Sequence, residues 1–162
     1  MQMLHAGVGR HIINPPLGVK TFGYSSREGT VQAIESDLSA TALVLNAGAH
    51  KIAIIAIDTG WLAFSTVTNL RRRVSEAIGT PASHILVNLN HTHSSSSMPE
   101  WVPDESDQIA MQARYRDDLC DWIVEAAQDA EANLQPARIG AGWGECDIGV
   151  YRREMGADGI VF

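Results

Sequence analysis

The chain has 162 residues, enough for one domain with its own core, and its 45% apolar and 19% charged residues set it apart from disordered polymers. Its net charge is −7, with Lys20 and Lys51 as the only lysines and no basic stripe. That balance argues against nucleic acid and against an anionic membrane surface as main partners.

In chain order, residues 4–13 read as a short extended segment running into Asn14-Pro15-Pro16-Leu17-Gly18. Two prolines remove two backbone donors and fix φ, so this cluster is a turn. Residues 20–34 carry Gly23, Ser25, Ser26 and Gly29 and read as loop. Residues 40–46 and 51–57 are strand candidates, joined by Ala47-Gly48-Ala49-His50, which suits a hairpin. Ile52, Ile54, Ile55 and Ile57 make a nearly continuous apolar run, the pattern of a strand covered on both faces. Asp58-Thr59-Gly60 closes it.

Residues 65–78 predict a helix, with Ser65 or Thr66 as cap and Val67, Leu70, Val74, Ala77 and Ile78 on one face; Gly79 and Pro81 stop it. Residues 84–90 read as a buried strand, and residues 94–106 as a hydrophilic loop. A long helix is expected over residues 107–133, with Leu119, Trp122, Ile123, Ala126, Ala127 and Ala130 as its core stripe. Leu134-Gln135-Pro136 breaks it, and residues 137–144 are a further strand candidate. The order predicts an α/β layered domain, with a mostly buried mixed sheet and flanking helices, spanning residues 1–162 as a single domain. The apolar tail Gly159-Ile160-Val161-Phe162 reads as a strand cut at its start. The natural protein is therefore expected to continue, and self-association through the apolar edge is expected.

Cys120 and Cys146 form no CxxC and read as ordinary reduced thiols. The opening residues lack the pattern of a signal peptide, and no apolar stretch reaches the roughly 18–20 residues that a transmembrane span needs. A cytoplasmic location is the default expectation.

His91-Thr92-His93, at the end of an apolar strand, is the sharpest chemical signal. Residues i and i+2 of an extended chain share a face, so two imidazoles would converge, and neutral imidazole suits zinc. Two hydrogen-bonded histidines in a polar loop are the competing reading. Asp58, closing the neighbouring strand, either orients a ligand imidazole through its free N–H or caps the following turn. Among the tryptophans, Trp101 is the one best placed to meet a ligand.

With these residues placed, the chain resembles the amino-terminal part of the neutral/alkaline non-lysosomal ceramidase family. The resemblance runs in order through Gly7-Val8-Gly9-Arg10, Pro15-Pro16-Leu17-Gly18-Val19, Gly23-Tyr24, residues 40–45 and Ile57-Asp58-Thr59-Gly60. It continues in Asn90-His91-Thr92-His93-Ser94, Leu134-Gln135-Pro136-Ala137-Arg138 and Tyr151-Arg152-Arg153-Glu154. It implies a zinc amidase cleaving the N-acyl bond of ceramide or a related lipid amide. By this resemblance His91 is a zinc ligand, His93 contacts the substrate and helps stabilise the oxyanion, and Arg152 belongs to the same substrate-facing group. The family has a His where Glu35 stands, a Gly-Pro-Gly where Ser95-Ser96-Ser97 stand, and an Asn where Tyr151 stands. Its remaining zinc ligands lie beyond Phe162, so this chain alone is expected to have little amidase activity. Two other readings stay open: a non-catalytic homologue that binds a ligand or partner, and a related metal hydrolase acting on a non-sphingolipid substrate.

Overall fold

The computed structural model describes residues 3–24, 27–98, 106–151 and 153–161. Along them run β1 (His5–Ile12), β2 (Ser39–Ala47), β3 (His50–Ile57), α1 (Phe64–Ile78), β4 (Ile85–Leu89), α2 (Ser106–Ala132), β5 (Gln135–Pro136), β6 (Glu154–Gly156) and β7 (Gly159–Val161). Five strands form one sheet in the order β4-β3-β2-β1-β5, and β6 and β7 form a separate hairpin. Within the larger sheet β3 and β4 are parallel and the other pairs antiparallel. This is the layered α/β architecture that the sequence predicts.

The β2–β3 hairpin pairs Ala47 with His50, which leaves Gly48 and Ala49 to turn the chain. Gly48 takes φ 69, a left-handed value that glycine adopts without steric cost. From β3 the chain crosses through α1 to β4, as a parallel pair requires. Leu70, Val74 and Ile78 point from α1 into the core, and Gly79 ends the helix in the left-handed conformation. At the other end the cap position is held by Ala63, with no side-chain hydrogen bond. Neither Ser65 nor Thr66 serves as the cap, because the chain enters the helix earlier, at Phe64.

α2 buries Leu119, Ile123, Ala126, Ala127 and Ala130 against the sheet. The fit with β1 is close. A Cβ on Gly7 would overlap the Ala130 carbonyl oxygen, and one on Gly9 would overlap that of Ala126. Glycines on the strand and alanines on the helix are thus two halves of one contact, in which backbone packs directly on backbone.

Among the described residues the sheet is covered on one face. Ala40, Ala42, Val44, Ala53, Ile55 and Ile57 are buried in the core cluster beneath the helices. On the opposite face the cross-strand row Val8–Leu43–Ile54–Leu86 runs through four strands, and Val8 and Leu86 are each more than half exposed. The expectation that β3 is covered on both faces is therefore corrected: Ile52 is 40% exposed, because both helices pack on the side of Ile55 and Ile57. β4 likewise forms an edge of the sheet rather than a buried strand, and His84 belongs to a 3-10 turn before it. Residues 137–144 form no strand; only Gln135 and Pro136 pair, with Ala6 and His5. Cys120 is buried, Cys146 is exposed, and both are free thiols. Among the described residues no helix is long and apolar enough to cross a membrane.

Candidate functional site

The parallel pair β3–β4 sets up the site. Their register aligns Ile57 with Leu89, so both carboxyl ends finish side by side. Ligand sites in open α/β sheets favour the space beyond such ends. Here they release Asp58-Thr59-Gly60 and Asn90-His91-Thr92-His93 next to each other. Backbone pairing continues past the strands, with Asn90 N–H donating to Ile57 O (3.2 Å) and His91 N–H to Thr59 O (3.2 Å).

At His91 the backbone turns left-handed, with φ 58; it is the one described residue other than glycine with positive φ. Such a conformation costs about 1–3 kcal/mol and persists only where the surroundings enforce it. The two imidazoles do converge, with centroids 5.0 Å apart and planes at 70°. They reach each other through this turn, not through the same-face alternation of an extended strand.

His91 Nδ1 lies 2.7 Å from the carbonyl oxygen of Gly60. A carbonyl only accepts, so Nδ1 carries the proton, and in the neutral imidazole Nε2 then keeps its lone pair. A backbone carbonyl holding one ring nitrogen is the usual companion of a ligating imidazole. Asp58 does not take that role. Its carboxylate accepts from Ser39 N–H (2.8 Å), Ser39 Oγ (3.0 Å) and Asn90 Nδ2 (2.7 Å). Asn90 Oδ1 in turn accepts from Thr92 N–H at 3.1 Å. Asp58 therefore braces the histidine turn through Asn90.

The serines after His93 form part of the foundation of the site. Ser95, Ser96 and Ser97 are buried, which corrects their reading as a hydrophilic loop. Phe22 N–H donates to Ser95 O and Ser97 N–H to Lys20 O, each at 2.9 Å, so residues 20–22 and 95–97 pair as a short ladder. Ser95 Oγ accepts from Gly60 N–H (3.1 Å), and Ser97 Oγ accepts from the buried Gln112 Nε2 (2.7 Å). Small hydroxyl side chains suit this place because Ser95 and Ser97 each satisfy a buried donor, while Ser96 Oγ donates to Ser97 O at 3.0 Å.

The ladder brings residues 22–24 against the histidines. Phe22 meets His91 and His93 edgewise at 5.7 and 5.8 Å, and Tyr24 meets His93 at 4.9 Å. Two glycines make this possible. A Cβ on Gly60 would overlap the Phe22 ring, and one on Gly23, which has φ 128, would lie 2.5 Å from His93 Cβ. Phe22 and Arg27 are not singled out by the sequence; Gly60, which follows the strand-ending Asp58-Thr59, is the one local signal that points here.

Glu35 is exposed and lines a cavity of about 400 Å³ that also touches Thr21, Arg27, Thr30 and Ser94. That places it beside the loop carrying His93. Arg152 and Trp101 lie outside the described residues. Among the described residues no group of three His, Cys, Asp or Glu side chains gathers to hold a metal ion. The His91 imidazole, protonated on Nδ1 and open on Nε2, nonetheless has the donor chemistry that zinc takes.

No family model and no curated protein matches the sequence. Among solved structures, the fold is similar to that of a ceramidase complexed with C2, with a TM-score of 0.70 and 21% identity over 84% of this chain. It is also similar to a neutral ceramidase from Pseudomonas aeruginosa, with a TM-score of 0.65 and 20% identity over 84% of this chain. The chain spans 22% of the length of each.

Proposed function

We propose that this chain carries part of the active site of a zinc-dependent amide hydrolase whose substrate is ceramide or a related lipid amide. The observation that carries the reading is the His91–Gly60 contact at the carboxyl ends of the parallel strands, which leaves Nε2 of His91 available. Likeness in fold to ceramidases is compatible with it.

In this reading His91 holds zinc through Nε2, together with ligands not gathered among the described residues. Zinc in such a site supplies Lewis acidity toward the scissile carbonyl and toward the attacking water. His93, held by Tyr24 and Phe22, presents its imidazole to the acyl oxygen as negative charge develops there. By the resemblance in sequence, Arg152 would join His93 in binding the substrate. The cavity lined by Glu35, Arg27 and Ser94 offers room for polar groups of the substrate next to His93.

The test is hydrolysis of N-acylsphingosines by the natural gene product with zinc present, beside His91→Ala and His93→Ala. Turnover that is lost with His91 and cut at least tenfold with His93 supports the proposal. Turnover of simple acyl esters or short amides in preference to sphingoid amides would instead favour a metal hydrolase with a different substrate. Tight binding of a lipid amide without turnover would favour a non-catalytic homologue.

A further inference from the structure

His93 is held by Phe22, Gly23, Tyr24 and Arg27, and the Arg27 side chain ties those contacts together. Arg27 Nη1 donates to the carbonyl oxygen of His93 at 2.7 Å and to that of Phe22 at 3.2 Å. The same guanidinium lies 4.8 Å from the centre of the Tyr24 ring. Tyr24 in turn meets the His93 imidazole edgewise. Nη1 of Arg27 thus ties down the backbone of His93, while its cation lies over the ring against which the imidazole rests.

Both roles need the guanidinium itself. Nη1 serves both carbonyls while the delocalised cation stays over the Tyr24 ring, a division of contacts that the compact ammonium of lysine reproduces less well. The main-chain turn that places it is local, with Arg27 N–H donating to Tyr24 O at 2.9 Å. Gly23 lets the two segments approach until its Cα packs directly on His93. Apart from Arg27, residues 22–24 are joined to the histidine loop, among the described residues, by the Phe22–Ser95 backbone bond and ring contacts.

We infer that Arg27 is a positioning residue: it sets the direction of the His93 imidazole by clamping the His93 carbonyl and the Tyr24 ring together. This geometric claim concerns His93, whose substrate role rests on the proposed function. The direction matters because Ser94, the residue after His93, lines the cavity that Glu35 and Arg27 also line.

The experiment is NMR on the chain as it stands, comparing Arg27→Ala and Arg27→Lys with the parent. The expected result for Arg27→Ala is loss of the cross-relaxation between His93 and Tyr24 ring protons, with His93 ring shifts moving most of the way to their free-histidine positions. The His91 ring signals, anchored on Gly60, should change little. Arg27→Lys is expected to rescue the His93 signature in part, because one carbonyl contact survives without the planar cover. An unchanged His93–Tyr24 signature in Arg27→Ala would overturn the inference, as would collapse of His91 and His93 signals together, the mark of a general structural role. Turnover of the natural gene product is a separate readout: a displaced catalytic group costs about 10–100-fold in kcat, with KM altered less. If His93→Ala leaves turnover intact, the proposed function fails while the NMR comparison still decides the role of Arg27.

Discussion

His91 Nδ1 and the carbonyl oxygen of Gly60 stand 2.7 Å apart, and that contact joins the ends of two parallel strands. It fixes the tautomer of the imidazole and the direction of its free nitrogen. Position 60 carries no side chain for a separate reason: a Cβ there would overlap the Phe22 ring that lies against both histidines. Gly60→Ala is expected to push Phe22 away and to destabilise the fold by about 1–3 kcal/mol, the usual cost of overpacking. In thermal unfolding this reads as a fall of roughly 2–4 °C per kcal/mol for a chain of this size. A melting temperature equal to that of the parent would mean that Phe22 has room to yield.

The left-handed backbone at His91 gives a second prediction. His91→Ala and His91→Gly both lose the ring and its bond to Gly60. Only alanine keeps the steric cost of positive φ, about 1–2 kcal/mol. The glycine variant is therefore expected to be the more stable of the two by about 1 kcal/mol in urea titrations. Equal stabilities, or a more stable alanine variant, would show that the turn relaxes once the imidazole is gone.

Asp58 gathers three donors from Ser39 and Asn90, and this network braces the histidine turn from below. Asp58→Ala leaves those donors without their carboxylate and is expected to cost about 2–3 kcal/mol, with Asn90→Ala costing about 1–2 kcal/mol. Because the two residues share one bond, the double variant should cost less than the sum, by about 1 kcal/mol. Strict additivity in urea unfolding would show that Asn90 finds its support elsewhere.

Much of this was legible in the sequence, and the failures have physical causes. Helix α1 announces itself through Leu70, Val74 and Ile78 at helical spacing, with Gly79 as its stop. The pairing of His91 with His93 was also legible, though the geometry behind it was not. A strand alternates its side chains, whereas here the chain turns left-handed at His91 and reaches the same convergence. Gly60 was hidden as a partner because a backbone carbonyl leaves no trace in residue identity. Ser95 to Ser97 read as solvated because hydroxyls usually are, yet they serve as buried partners for Gly60 and Gln112. The open face of β3 was illegible for a simpler reason: Ile52 and Ile54 are as apolar as Ile55 and Ile57, and only packing tells the two faces apart.

Tyr115 predicts an alkaline response. Its hydroxyl donates to the Ile13 carbonyl at 2.6 Å, and burial raises its pKa well above the ordinary value. An unfolded phenol loses its proton near pH 10 or so, while the folded one holds it further up, so above about pH 10 the unfolded state binds fewer protons and stability falls as pH rises. Below that pH the contribution is constant. Tyr115→Phe is expected to cost about 1–2 kcal/mol at neutral pH, through the lost hydrogen bond, and to remove this alkaline slope. Denaturant titrations near pH 7 and at about pH 10.5 measure both, and an undiminished slope in Tyr115→Phe would assign the alkaline response to other groups.

The central claim is that Nε2 of His91 is a metal-ligating nitrogen, and its most direct test is a zinc titration of the chain followed by NMR of its histidine side chains. The predicted result is that zinc perturbs Nε2 of His91 first and leaves its Nδ1 proton on the Gly60 carbonyl, with the effect abolished in His91→Ala. Zinc that leaves His91 untouched, or that perturbs the same residues equally in His91→Ala, would contradict it.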